Sequence, residues 1–153
     1  MQLRRFWEDI YPYHLITHCK DDLAPFLDAE NAAFAQQWLL NARKKDDIML
    51  LAYCIMPNHV HICAVPRARD LSTFMNSFKS MTARKMKLGP VWERRFWDSR
   101  ITTMKELREV VEYIHNNPFK AGMLTNAERY PYSSASSWES LDLHILLEFG
   151  PDV

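Results

Sequence analysis

Glycine is scarce in this chain, three residues against eight prolines, which argues against a flexible, linker-rich architecture. The three cysteines, Cys19, Cys54 and Cys63, are odd in number and form no C-x-x-C pair. That pattern fits free thiols in a reducing cytosol better than a disulfide framework, with Cys54 and Cys63 as small core residues inside apolar runs. No apolar run approaches the ~20 residues that span a bilayer, and Met1 to Asp9 contain no apolar segment of signal-peptide length. A cytoplasmic protein with no membrane partner is expected. Neither sign of charge is in excess, with 19 basic and 19 acidic residues. Global attraction to nucleic acid is therefore excluded, and any such binding must come from a local patch. The His-x-Glu and Pro-Cys-x-x-Cys signature of a nucleobase deaminase is also missing.

The 153 residues suit a single domain, 1–153, with a core expected over about 11–138. Residues 13–19, rich in aromatic and β-branched side chains, read as a first strand. A helix starting at Asp28 or Glu30 runs to about Lys45, with Phe34, Ala35, Trp38, Leu39 and Ala42 on one face. Residues 48–56 and 59–65 read as two antiparallel strands joined at Pro57-Asn58. Asp70 caps a helix that buries Leu71, Phe74, Met75, Phe78, Met81 and Thr82 and stops at Gly89-Pro90. Residues 91–102 alternate like a strand. Thr103 and Glu106 form a capping box for a last helix with the stripe Leu107, Val110, Val111 and Ile114. Pro118 predicts a kink or an end at Asn117. Residues 130–137 read as loop with Trp138 docking back, and a short helix is expected from Ser140. The order predicts a two-layer α+β fold, an antiparallel sheet with helices packed on one face.

Two patterns carry chemistry. His59 and His61 stand two apart in a strand, so both imidazoles project from one face and make a metal clamp. Taken alone, the pair favours a plainer account, a core histidine with a hydrogen-bonded tip beside an exposed one. Tyr113 lies on the flank of the last helix, roughly 110° from the centre of its apolar stripe. Asn117 follows one turn later, so the two can face one site. The alternative is a tyrosine at the core edge followed by an Asn-Pro helix stop.

The segment Tyr53-Cys54-Ile55-Met56-Pro57-Asn58-His59-Val60-His61 resembles the His-hydrophobic-His motif of single-tyrosine transposases. Trp92-Glu93-Arg94-Arg95-Phe96-Trp97-Asp98, then Tyr113-Ile114-His115-Asn116-Asn117-Pro118-Phe119-Lys120-Ala121-Gly122 and Tyr132-Ser133-Ser134, resemble the REP-associated branch of that family. The match runs from about Tyr13 to Ser134. The resemblance implies a ferredoxin-like sheet carrying both histidines on a central strand, and Tyr113 as nucleophile. Family members cut single-stranded DNA, often beside a hairpin, and form a covalent 5′-phosphotyrosine that a 3′-hydroxyl later resolves. His59 and His61 carry over as metal ligands for Mg²⁺ or Mn²⁺. Asn117 occupies the position of a third polar ligand, commonly Gln in relatives and one methylene longer. His115 is the runner-up, although the helical wheel points it elsewhere. Glu106 is a weak candidate for general base. Some related transposases act as homodimers, others as monomers.

For DNA, Lys79, Arg84, Lys85 and Lys87 cluster on one predicted helix. Arg94, Arg95 and Arg100 follow on the next strand, with Trp92, Phe96 and Trp97 among them. Cations with aromatics suit a single strand, whose phosphates and bases they meet respectively. Arg4, Arg5, Arg67 and Arg69 extend the path. Two other functions stay open: a hairpin-binding protein with a non-working cleavage site, and a metal-dependent hydrolase that would stay active after Tyr113→Phe.

Overall fold

Three side-chain caps set where the helices begin. Asp28 accepts from the Glu30 amide at 2.8 Å and starts α1, Ala29–Lys44. Asp70 accepts from the Thr73 amide at 2.8 Å and starts α2, Leu71–Met86. Thr103 accepts from the Glu106 amide at 3.1 Å and starts α3, Met104–Lys120. Each cap satisfies one of the amides that a helix N-terminus leaves unpaired. The computed structural model describes residues 11–124, 129–136 and 142. Trp138, the helix expected from Ser140, and Arg4 and Arg5 lie outside the described residues.

Four strands form one antiparallel sheet: β1, Tyr13–His18; β2, Ile48–Ile55; β3, His59–Pro66; and β4, Trp97–Arg100. Their order is β2-β3-β1-β4, so β1 and β3 are central. With α1 between β1 and β2, and α2 between β3 and β4, this is the ferredoxin-like arrangement. The α+β class is as expected. The fourth strand is shorter than expected. Val91 and Trp92 are buried in the core, and Trp92 joins the sheet through a single bridge to Cys19. There its indole nitrogen donates to the Thr82 hydroxyl at 3.0 Å.

The helices do not all share one face. Ile48, Leu50, Tyr53, Ile55, Val60 and Ile62 pack with α1 and α2, as expected. Cys54, Met56, Cys63 and Val65 pack on the opposite face with Leu107, Val111 and Ile114 of α3. The physical reason is visible in β2 and β3, which are apolar on both sides, so one helical layer leaves the other side wet. Met81, assigned to the buried stripe of α2, is exposed instead.

A bulge at Leu51 sets the facing of β2. Leu50 pairs with Ala64 and Ala52 with Cys63, leaving Leu51 as the extra residue. Leu51 and Ala52 both join the α3 side, so the inward residues change from even numbers to odd beyond this point. The free edge of β2 is closed by the segment after α3. Ile55 N donates to Tyr132 O at 2.9 Å, Tyr53 N to the Ser134 hydroxyl at 2.9 Å, and Leu50 N to Asp142 Oδ2 at 3.0 Å. Asp142 also takes two 3.0 Å bonds from Arg43. A covered edge removes a template for unwanted strand pairing.

α3 does not end at Asn117. It runs through Pro118, which is buried, to Lys120, and the Ala121 amide bonds Asn117 O at 3.1 Å. The proline sits in the last turn, where it forfeits the one bond its amide would make to the Ile114 carbonyl and is held by burial. Among the described residues no helix is long and apolar enough to cross a membrane.

Candidate active site

The turn that presents His59 is tied down on both sides. Met56 N donates to His59 O at 2.9 Å across Pro57 and Asn58. The Pro57 carbonyl accepts from Phe26 N at 3.1 Å, and the Asn58 carbonyl from Cys19 N at 2.9 Å. β3 then carries His59 and His61 onto the α3 side of the sheet, their ring centroids 5.0 Å apart and their planes at 78°. The strand periodicity therefore gives the shared face expected of it.

Tyr113 reaches the same place from α3. Its ring centroid is 5.6 Å from that of His61, nearly perpendicular, and the residue is 43% exposed. Asn117, one turn on, hydrogen-bonds the His59 ring through its side chain. Lys120 lays its ammonium 4.8 Å from the centre of the Tyr113 ring. His115 points away, as the wheel predicts. Its Nε2 is 2.6 Å from the Ser134 hydroxyl, which fastens α3 to the segment along β2. Glu106 accepts from the Thr102 amide at 3.2 Å and serves the helix cap. It is seven residues before Tyr113, about 10 Å along the axis, which is too far to take a proton directly.

Three further aromatic side chains join this cluster: two histidines not singled out in the sequence, and Trp97, expected there only as a ring for DNA. His14 on β1 has its Nε2 3.0 Å from His61 Nδ1. His18, opposite His59 in the sheet register, has its ring 5.2 Å from the His59 ring. Trp97 on β4 meets His14 edge-on at 5.2 Å and is 50% exposed. The His-x-x-x-His spacing in β1 was the available signal for a second histidine pair on one strand face.

Electrostatically the site is a set of neutral rings. Burial pulls His14 down to about 4. Burial, and then the charges that His59, His14 and His18 would carry, pull His61 down to about 3. Burial lowers His59 first and the His18 charge second, while the hydrogen bond to Asn117 opposes them. Neutral imidazoles keep a lone pair for a ligand. The cysteines offer no competing nucleophile. All three are free and buried, and burial raises Cys19 and Cys54 to about 12 and Cys63 as well.

The basic residues divide in two. Arg94 and Arg95 are exposed and follow Glu93, whose amide bonds His18 O at 2.8 Å, so they stand at the histidine end of the sheet. Lys79 and Arg84 lie on α2 and Lys87 caps its end, against the opposite face of the sheet from the histidine rings. Lys79 is engaged in the fold, donating to Glu93 O at 2.7 Å and Arg94 O at 3.3 Å, and burial lowers its pKa. Lys87 takes a left-handed backbone, φ 55°, at the end of α2. Arg100 places its guanidinium 5.0 Å over the Tyr11 ring. Arg67 and Arg69 sit at the other end of β3, facing Asp46 at 3.7 Å and Asp47 at 3.6 Å. Of the aromatics grouped with these cations, Trp92 belongs to the core and Trp97 to the site.

The chain is 26% identical over 98 residues to the REP-associated tyrosine transposase of Escherichia coli (strain K12), covering 63% of this chain and 59% of that protein. A Haemophilus influenzae relative, provisionally given the same name, is 29% identical over 101 residues, covering 55% and 57%. The chain thus spans somewhat under three fifths of the length of these curated relatives. The solved structure of a REP-associated tyrosine transposase bound to a REP hairpin shares the fold at a TM-score of 0.72 and 21% identity, over 88% of this chain and 82% of that one. The model of the family described as "Transposase IS200 like" matches residues 9–117, which cover β1 to β4, both histidines and most of α3; the chain belongs to that family.

Proposed function

We propose that this protein cuts and rejoins single-stranded DNA through Tyr113, recognising a strand that carries a hairpin. The observation that carries the reading is the position of Tyr113, half in solvent and 5.6 Å from the His61 ring, with His59 and Asn117 beside it. A nucleophile for a polymer must be reachable from outside, yet stand beside groups that manage phosphate charge. The hairpin enters through the solved relative bound to one.

In the proposed reaction the Tyr113 hydroxyl gives up its proton and its oxygen forms a bond to phosphorus. The bond from phosphorus to the 3′ oxygen breaks, and that oxygen leaves as a 3′-hydroxyl. The 5′ side stays on the protein as a phosphotyrosine. One phosphoester replaces another, so a second 3′-hydroxyl can reverse the step without an added energy source. His59 and His61 orient the phosphate beside Tyr113, and Asn117 holds His59.

The donor set fits a divalent ion. Among the described residues no three His, Cys, Asp or Glu side chains converge on a metal position. A site built on His59 and His61 therefore needs a third donor of another kind, and the Asn117 amide is at hand. Mg²⁺ or Mn²⁺ held by these three would neutralise phosphate charge and polarise a phosphoryl oxygen. The test is incubation with labelled hairpin-bearing single strands and Mn²⁺, resolved on a denaturing gel. A DNA-linked protein band that vanishes in Tyr113→Phe is expected. Binding without an adduct, over many hairpins and both metals, would leave a DNA-binding protein; cleavage surviving Tyr113→Phe would point to water as nucleophile.

A further inference from the structure

We propose that His14 is a positioning residue, holding the His61 ring so that its Nε2 lone pair faces the site. The inference rests on the reading of His61 as a ligand. The two rings have centroids 5.2 Å apart and planes inclined by 25°, while Nε2 of His14 and Nδ1 of His61 are 3.0 Å apart. Nitrogens that close between nearly parallel rings cannot belong to a face-to-face stack. The rings meet at their edges, near one plane, in the geometry of an N–H···N bond.

Such a bond needs one donor and one acceptor, and each neutral imidazole has one of each. Two arrangements are available. If His14 Nε2 carries the hydrogen, His61 must carry its own on Nε2, aimed into the site, and has no lone pair to offer there. If His61 Nδ1 carries it, His14 accepts and His61 Nε2 is free. His59 shows which arrangement the site is built for. Its Nδ1 lies 2.7 Å from Asn58 Oδ1, an atom that only accepts, so His59 donates there and turns Nε2 toward the Asn117 side chain and the site. With His14 in the same role, both histidines are gripped at Nδ1 and both present Nε2. Partners of this kind fix tautomer and ring orientation at metal sites. His14 is 6% exposed and His61 2%, so water does not readily substitute for a lost partner.

The test uses the full chain with ¹⁵N-labelled histidine and no metal, at pH 7.5. Long-range ¹H–¹⁵N correlation reads the tautomer of each ring. Wild-type His61 is expected with its hydrogen on Nδ1. In His14→Phe, which keeps a ring but no acceptor, the hydrogen shifts partly or wholly to Nε2. In His14→Gln, whose side-chain oxygen accepts at a similar reach, Nδ1–H returns. In parallel, electron paramagnetic resonance of added Mn²⁺ should show about 10- to 100-fold weaker binding to His14→Phe, with most of it recovered in His14→Gln. A wild-type His61 protonated on Nε2 overturns the proposal without any variant. So does a folded His14→Phe with an unchanged His61 tautomer and wild-type Mn²⁺ affinity. If the tautomer follows His14 as expected but wild-type protein takes up no Mn²⁺, the positioning role stands and the metal reading fails.

Discussion

Thr17 lies in β1 with its hydroxyl buried and, among the described residues, without a hydrogen-bond partner. Neighbouring Leu15 and Cys19 alternate onto the α1 and α2 side with it, away from the histidines, so the hydroxyl has no part in the site. An unsatisfied buried polar group costs about 1–3 kcal/mol. Thr17→Val keeps the β-branched shape and should raise stability by about 1 kcal/mol. The urea midpoint should rise with an unchanged slope; a lower midpoint would mean that the hydroxyl is satisfied after all. The same scale shows what single residues reveal in a sequence. His59 and His61 share a face because alternation in a strand is strict, and Tyr113 meets Asn117 because a helix turns every 3.6 residues. His14, His18 and Trp97 escape that logic. They reach the site from other strands, through a register that no local spacing encodes.

The segment that closes the β2 edge depends on a phenol. Tyr130 donates from its hydroxyl to Ile55 O at 2.7 Å. Burial first, then the charges of Cys54 and Tyr132, raise its pKa from 10 to about 12. The folded state therefore keeps a proton that the unfolded chain gives up. Its contribution is intact below pH 10 and is lost as the pH rises to about 12, by up to about 1.4 kcal/mol per pH unit. A tyrosinate has no hydrogen for the Ile55 carbonyl, so the segment should loosen over the same range. Stability measured from pH 8 to 11.5 should fall less steeply in Tyr130→Phe than in wild type; parallel curves would refute this. Of the elements themselves, the three helices were legible from their caps and stripes. The fourth strand is shorter than its pattern suggests because Val91 and Trp92 alternate like strand residues while packing as core. The local preference of Pro118 points to a helix end, which burial in the last turn of α3 overrides.

For the molecule as a whole, equal numbers of acidic and basic residues mean that the proposed DNA affinity must come from where charge stands. Arg94 and Arg95, at the histidine end of the sheet, should each contribute about 0.7 to the slope of log affinity against log salt for a single strand. Alanine at either should flatten that slope measurably, whereas Arg67→Ala and Arg69→Ala, at the far end of β3 beside Asp46 and Asp47, should not. Equal effects from all four would show that the strand runs the whole length of the sheet. The placement of α3 on the second sheet face was present in the sequence as the unbroken apolar runs of β2 and β3, which the expectation of one helical layer underused. The bulge at Leu51 has a consequence for comparing chains of this fold. It acts as a frameshift in the in-and-out code of β2: upstream and downstream residues of the same parity belong to different layers. A relative lacking that one residue would have to exchange the sizes of its side chains over the rest of the strand, or slide the strand against β3. An alignment that places the gap a few positions away would match core residues of one layer with those of the other.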